Sequence, residues 1–146
     1  MIQKKADAVW KGNLKEGEGK FSLESGIVKE ATYSFATRFG ESKGSSPEEL
    51  IAAAHASCFS MALANALSSD GFKVKKIHTS DKVLLEKSSD GFTITRIEVS
   101  VDADVERMDP ATFQKHVDEV KKNCPVAKAL KGVDFKVKAQ LRQEAE

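Results

Sequence analysis

The sequence predicts an α+β domain in which an antiparallel sheet carries a long buried central helix and a second helix. Three observations carry this expectation. From Leu50 to Leu67 nearly every residue is apolar or small, which is the mark of a helix in the middle of a core. Ser88-Ser89-Asp90-Gly91 separates two β-rich runs, and an Asp-Gly pair so flanked signals a hairpin. Val133, Phe135, Val137, Ala139 and Leu141 alternate with polar residues, as a half-buried strand does. The order that results is β-β-β-α-β-β-α-β, with helices packed on sheet.

Each element has its own local cause. Trp10 leads into Gly12-Asn13 and the Gly17-Glu18-Gly19 cluster, and Phe21 and Leu23 alternate before Ser25-Gly26. These are short strands punctuated by turns. Tyr33, Phe35, Thr37 and Phe39 then fall on one face of a predicted strand, with Ser34, Ala36 and Arg38 on the other. Ser45-Ser46-Pro47-Glu48-Glu49 starts a helix with a serine cap, a proline at the first position and acids facing the dipole. Its apolar circumference predicts burial all round, over about 20 residues and roughly 30 Å. Ser68-Ser69-Asp70-Gly71 stops it. Strands follow over Val74 to Lys87 and Phe92 to Val105. Asp109-Pro110 opens an amphipathic helix with Phe113, Val117 and Val120 on one face, ending near Lys121-Lys122-Asn123. Cys124-Pro125 opens a short helical turn through Leu130, and a polar tail from Arg142 to Glu146 is expected to fray.

A chain of 146 residues fits one domain spanning 1–146. Its 23 Lys+Arg against 22 Asp+Glu leave a formal charge of +1, which argues against a polyanion such as nucleic acid as partner. No run approaches the ~18 apolar residues that cross a bilayer, and the first seven residues lack the apolar segment of a signal peptide. A cytoplasmic protein with no membrane partner is the expectation.

The two cysteines, Cys58 and Cys124, are too few for a disulfide-stapled scaffold. Cys58, on an alanine-rich helix, has a bland reading as a buried small hydrophobe. Cys124 precedes a proline at a helix start, where free N–H groups and the dipole lower a thiol's pKa. His55 shares a helical face with Cys58, and with His116 and Cys124 a mixed zinc site is conceivable. Nothing else supports a metal, and His55 reads equally as a hydrogen-bonded core residue. His78 and His116 read as surface or edge residues. Ser60 faces away from Cys58 and carries no role.

Thr37-Arg38-Phe39, the stretch Pro47-Glu48-Glu49-Leu50 through Ala54-His55-Ala56-Ser57-Cys58-Phe59-Ser60-Met61-Ala62, and Asn123-Cys124-Pro125-Val126 resemble the OsmC/Ohr family of bacterial hydroperoxide reductases. The resemblance spans essentially the whole chain. The form Tyr33-x-Phe35-x-Thr37-Arg38-Phe39 is similar to the OsmC branch. Ser46 stands where an asparagine is common, and both residues cap helices. The resemblance implies a thiol peroxidase with no cofactor and no metal. Cys58 would be the peroxidatic cysteine, forming a sulfenic acid as an organic hydroperoxide becomes an alcohol. Cys124 would resolve it as a disulfide, and a dithiol such as a lipoylated carrier protein would reduce that bond. A sulfenic acid without a resolving thiol over-oxidises, so the pairing is chemically coherent.

Arg38 and Glu48 complete the implied site, the guanidinium stabilising thiolate and alkoxide while Glu48 orients its fork. Glu48 and Cys58 lie on one helix about 15 Å apart, a span that one Glu–Arg pair does not easily bridge. Two such helices antiparallel across a two-fold axis would bring them together, so an intertwined homodimer with composite sites is expected. Phe35, Phe39, Phe59 and Met61 are candidates for the apolar pocket wall, by spacing and proximity. Two rival readings stay open on these grounds: a redox sensor that forms the disulfide without turnover, and a structural protein with buried thiols.

Overall fold

The computed structural model describes residues 1–143, so most of the tail expected to fray lies outside the described residues. The chain gathers into two compact units, Met1–Leu50 and Ile51–Glu146.

In the first unit, β1 (Ala6–Lys11), β2 (Glu18–Leu23) and β3 (Ala31–Tyr33) form an antiparallel sheet in that order. Gly19 sits opposite both Trp10 and Tyr33. A Cβ there would lie 2.4 Å from the Tyr33 ring, so glycine is what lets the ring lie across the strand. That ring stands 5.6 Å from Trp10 and 5.9 Å from Phe21, centroid to centroid.

The strand expected to run on to Phe39 ends at Tyr33, and Phe35–Phe39 is a short helix, α1. Ser34 decides this. Its hydroxyl accepts from the Thr37 amide at 3.2 Å, while the Ser34 amide donates to Thr37 Oγ1 at 2.7 Å. This reciprocal capping box offers the backbone a helical start that β-propensity does not match. Phe35 and Phe39 still share a face, because positions four apart meet on a helix, and their centroids are 4.9 Å apart.

The long helix α2 (Pro47–Ser69) begins in the first unit and continues through the second. The Glu49 amide donates to Ser46 Oγ at 3.2 Å, and Glu48 and Glu49 occupy the first turn, as the sequence indicates. Burial all round does not hold in the single chain. His55, Phe59, Leu63 and Leu67 are buried, whereas Ala53, Ala54, Ser57 and Met61 are exposed, Met61 at 76%. Alanine supplies helix propensity without demanding burial, so composition alone does not tell the two faces apart. The expectation of no run near bilayer length also needs correcting: α2 as a whole is long and apolar enough to cross a membrane by length and composition. One row of it, Phe59, Leu63 and Leu67, is seated in the core described next.

The second unit is built on β4 (Val74–Ser88) and β5 (Gly91–Val105), which form the predicted antiparallel hairpin. The α+β class stands, with one pairing different: β6 (Asp134–Arg142) runs parallel to β5, from Arg96↔Asp134 to Asp104↔Arg142. A parallel pairing requires a crossover, and α3 (Pro110–Asn123) with α4 (Pro125–Ala129) supplies it. Asp109 caps α3, its carboxylate accepting from the Thr112 amide at 2.9 Å. That bond holds the Asp109 carboxyl below its usual pKa. Ile97, Val99, Val101, Ala103 and Val105 from β5 meet Phe59, Leu63 and Leu67 of α2 and Phe113, Val117 and Val120 of α3 in one core.

His116, expected at the surface, is buried on the inner side of α3. Its Nδ1 donates to the Thr112 carbonyl at 2.8 Å and its Nε2 to Asp70 Oδ2 at 2.6 Å. Both ring nitrogens face acceptors, which favours the imidazolium. The Thr112 carbonyl, then Asp70, hold its pKa above the ordinary histidine value against the opposing effect of burial.

Candidate active site

Two cysteines far apart in sequence meet in the second unit. Cys58, half-buried on α2, and Cys124, fully buried, are both free thiols. Their sulfurs lie 3.0 Å apart, Cys124 Sγ–H donating to Cys58 Sγ. Cys124 is at once the residue that ends α3 and the one that precedes α4. Its amide is spent on the Val120 carbonyl at 2.9 Å, and its carbonyl accepts from Lys128 at 2.9 Å. The backbone is thus fixed while the side chain turns inward.

The thiol pKa of Cys124 departs from expectation. Burial first, and the contact with Cys58 second, push it above its ordinary value. The amides of Ala127 and Val126 at the start of α4 pull the other way and are outweighed. The helix start thus acts in the expected direction, but the loss of solvent around a residue with no exposed surface is the larger effect. Cys124 therefore stays protonated and serves as the hydrogen donor of the pair.

Arg38 and Glu48 meet within the first unit of one chain. Arg38 Nε donates to Glu48 Oε1 at 2.7 Å. Glu48 is 8% exposed, and its Oε2 is buried without a hydrogen-bond partner among the described residues. The carboxylate so enclosed depends on the guanidinium for compensation. Arg38 also lies over the Phe39 ring, 5.3 Å from its centroid. These contacts leave the arginine a fixed direction at partial exposure.

A groove of about 310 Å³ runs beside Arg38, lined by Trp10, Leu14, Tyr33, Phe35 and Pro47. Of the four proposed wall residues, Phe35 lines this groove. Phe39 does not line it, its ring lying tilted against Phe35, while Phe59 has no exposed surface and Met61 stands out from α2. Trp10 and Leu14 carry no such signal in the sequence, because nothing local ties a first-strand aromatic to an arginine in a later helix. Another cleft, about 590 Å³, lies among Lys76, His78, Asp102, Asp104 and Arg142 and contains no sulfur.

His55 is a hydrogen-bonded core residue: Nδ1 bonds Asp81 Oδ2, and both side chains are essentially without exposure. Asp81 belongs to no motif, though it leaves a trace in the sequence. Ile77, Thr79, Asp81 and Val83 form the inward row of β4, and an acid in such a row needs a partner. Among the described residues no cluster of three or more His, Cys, Asp or Glu is placed to hold a metal.

Comparison with known proteins gives a consistent result. The family described as OsmC-like protein matches residues 40–138. The chain is 43% identical over 141 residues to "Peroxiredoxin OsmC" of Escherichia coli, covering 94% of this chain and 99% of that one. The same name and identity recur in Shigella flexneri. Among solved structures, the organic hydroperoxide resistance protein OhrB of Bacillus subtilis is similar with a TM-score of 0.69, at 23% identity, over 93% of this chain and 98% of that one. An OsmC-like protein from Mycoplasma pneumoniae is similar with a TM-score of 0.74, at 17% identity, over 96% and 97%. These two likenesses speak to the fold.

Proposed function

The chain belongs to the OsmC-like protein family and is a peroxidase, and on that premise we propose that it reduces organic hydroperoxides with Cys58 as attacking and Cys124 as resolving thiol. The observation that carries this reading is the pair of free thiols at 3.0 Å, with Cys124 as donor. The Cys58 thiolate takes the terminal oxygen of the hydroperoxide. The O–O bond breaks, its electron pair leaves with the alkoxide, and the alkoxide takes a proton to become the alcohol. Cys124 then attacks the sulfenic sulfur, the S–O bond breaks, water departs and a disulfide remains. A dithiol, dihydrolipoyl in our reading, returns two electrons and two protons. Such chemistry fits a cytoplasmic protein, whose thiols are kept reduced until an oxidant arrives.

Arg38, oriented by Glu48, is assigned the charge that develops on the leaving oxygen, and the adjoining aromatic groove the organic group of the substrate. The exposed stripe Ala53, Ala54, Ser57 and Met61 supports a homodimer formed by two α2 helices, with composite sites and the whole chain acting as one domain. Small residues along a helix allow the close approach such a contact needs.

One experiment tests the core of this. Stoichiometric cumene hydroperoxide should convert the reduced protein to an intramolecular Cys58–Cys124 disulfide, read by mass spectrometry. Cys58→Ser should leave the peroxide intact, and Cys124→Ser should accumulate sulfinic acid at Cys58. Two thiols still free after excess hydroperoxide would overturn the reading.

A further inference from the structure

Cys58 lies between two polar contacts that the thiol chemistry does not use. One turn before it, His55 bonds Asp81. Shortly after it, Ser60 Oγ lies 2.7 Å from Thr79 Oγ1, and the Ser60 hydroxyl donates to the Ala56 carbonyl at 2.9 Å. With its own proton so committed, Ser60 accepts that of Thr79. Both partners, Asp81 and Thr79, belong to the inward row of β4.

We infer that His55–Asp81 and Ser60–Thr79 are two positioning pairs that fix α2 against β4, in height and in rotation, and so hold the Cys58 sulfur 3.0 Å from that of Cys124. The lengths agree. From His55 to Ser60 the helix rises about 7.5 Å, and from Thr79 to Asp81 the strand advances about 6.8 Å. Two contacts in crossed order therefore match when helix and strand run in opposite directions in a single register. A slip of one residue moves the helix about 1.5 Å and breaks both.

Rotation is fixed for a separate reason. At about 100° per residue, Ser60 stands roughly 140° round the helix from His55, which itself continues the buried row of Phe59, Leu63 and Leu67 at four-residue spacing. Apolar contact along that row is non-directional and tolerates a helix that rolls. A side-chain atom about 5 Å from the axis travels about 1.7 Å when the helix turns by roughly 20°. That travel is large against a sulfur separation of 3.0 Å. Two directional bonds so far apart around the helix oppose roll in either sense.

Burial of the His55–Asp81 pair argues for specification over stability. The Asp81 side chain has no exposed surface, and its Oδ1 has no hydrogen-bond partner among the described residues. An apolar pair of equal volume would stabilise such a site at least as well. What a buried polar pair adds is a unique register.

The inference rests on the thiol assignments above, and its test is read without peroxide. The measurement is the effective concentration of the two thiols, from equilibration of the Cys58–Cys124 disulfide with glutathione. Thr79→Val and Asp81→Leu should each lower it about tenfold, and Thr79→Ser should restore it. In the peroxide arm the same variants should divert Cys58 to sulfinic acid. Melting curves confirm the fold, and Ser60→Ala gives a mild variant should Asp81→Leu fail to fold. Unchanged effective concentration in folded Ser60→Ala and Thr79→Val would overturn the inference. A wild-type chain that closes the disulfide in glutathione but spares hydroperoxide would overturn the peroxidase reading and leave the positioning measurement standing.

Discussion

The two units solve different problems with the same chain. In the first, Phe21 is the one large apolar side chain buried among the described residues, and the ordered feature is an ion pair, Arg38–Glu48. In the second, β5 is buried at every other position over its C-terminal half and the helices close over it. The charged group of the proposed site therefore stands on a lightly packed platform, and the sulfurs stand in a dense one. A guanidinium has reach and tolerates small displacements, whereas two sulfurs proposed to bond do not. Rigidity is found where the chemistry is least forgiving of distance.

The largest expected effect bears on the first platform. Arg38→Met should lower kcat/KM by about 10²–10³, with the Cys58–Cys124 equilibrium in glutathione unchanged. A comparable loss in that equilibrium would break the division between charge and sulfur. Next, the contrast in packing predicts that Leu63→Ala costs about 2–5 kcal/mol in urea unfolding. Ile27→Ser, on an exposed turn of the first unit, should stay within about 0.5 kcal/mol. Equal costs would show the two platforms to be alike.

A smaller effect is expected at Gly19. Its alanine variant forces the Tyr33 ring, 2.4 Å from the new Cβ, away from β2 and into the groove. KM for a bulky hydroperoxide should rise while KM for tert-butyl hydroperoxide changes little, and a uniform change would detach the groove from specificity. The smallest effect concerns His116. Its folded pKa is raised by the Thr112 carbonyl and Asp70, with Glu119 adding charge. Its contribution is therefore complete below the unfolded pKa and is lost as pH climbs through the folded one. Thermal melts of wild type against His116→Gln should converge with rising pH, and parallel curves would refute the imidazolium.

Much of this is legible in the amino-acid sequence. The serine cap, Asp-Gly hairpin and closing alternation place α2, β4–β5, α3 and β6 because each rests on local chemistry. Arg38 is legible only through its resemblance, since an isolated strand-like arginine is indistinguishable from a solvated one. What escapes the sequence is non-local or balanced between local causes. Ser34 and Thr37 together turn a strand into a helix, and neither residue signals this alone. The parallel β5–β6 pairing depends on where a crossover lands. The raised Cys124 pKa comes from burial, which spacing does not report.

Cys124 is the joint between α3 and α4, and under the proposed mechanism that placement governs how far the molecule must travel per turnover. Closing a 3.0 Å approach to a disulfide of about 2.05 Å asks for roughly one ångström. A side-chain torsion at a joint between two helices can absorb that without melting either. The proposed cycle then needs no local unfolding. Amide exchange along α3 and β5 should keep the same slow clock whether the sulfurs are joined or apart.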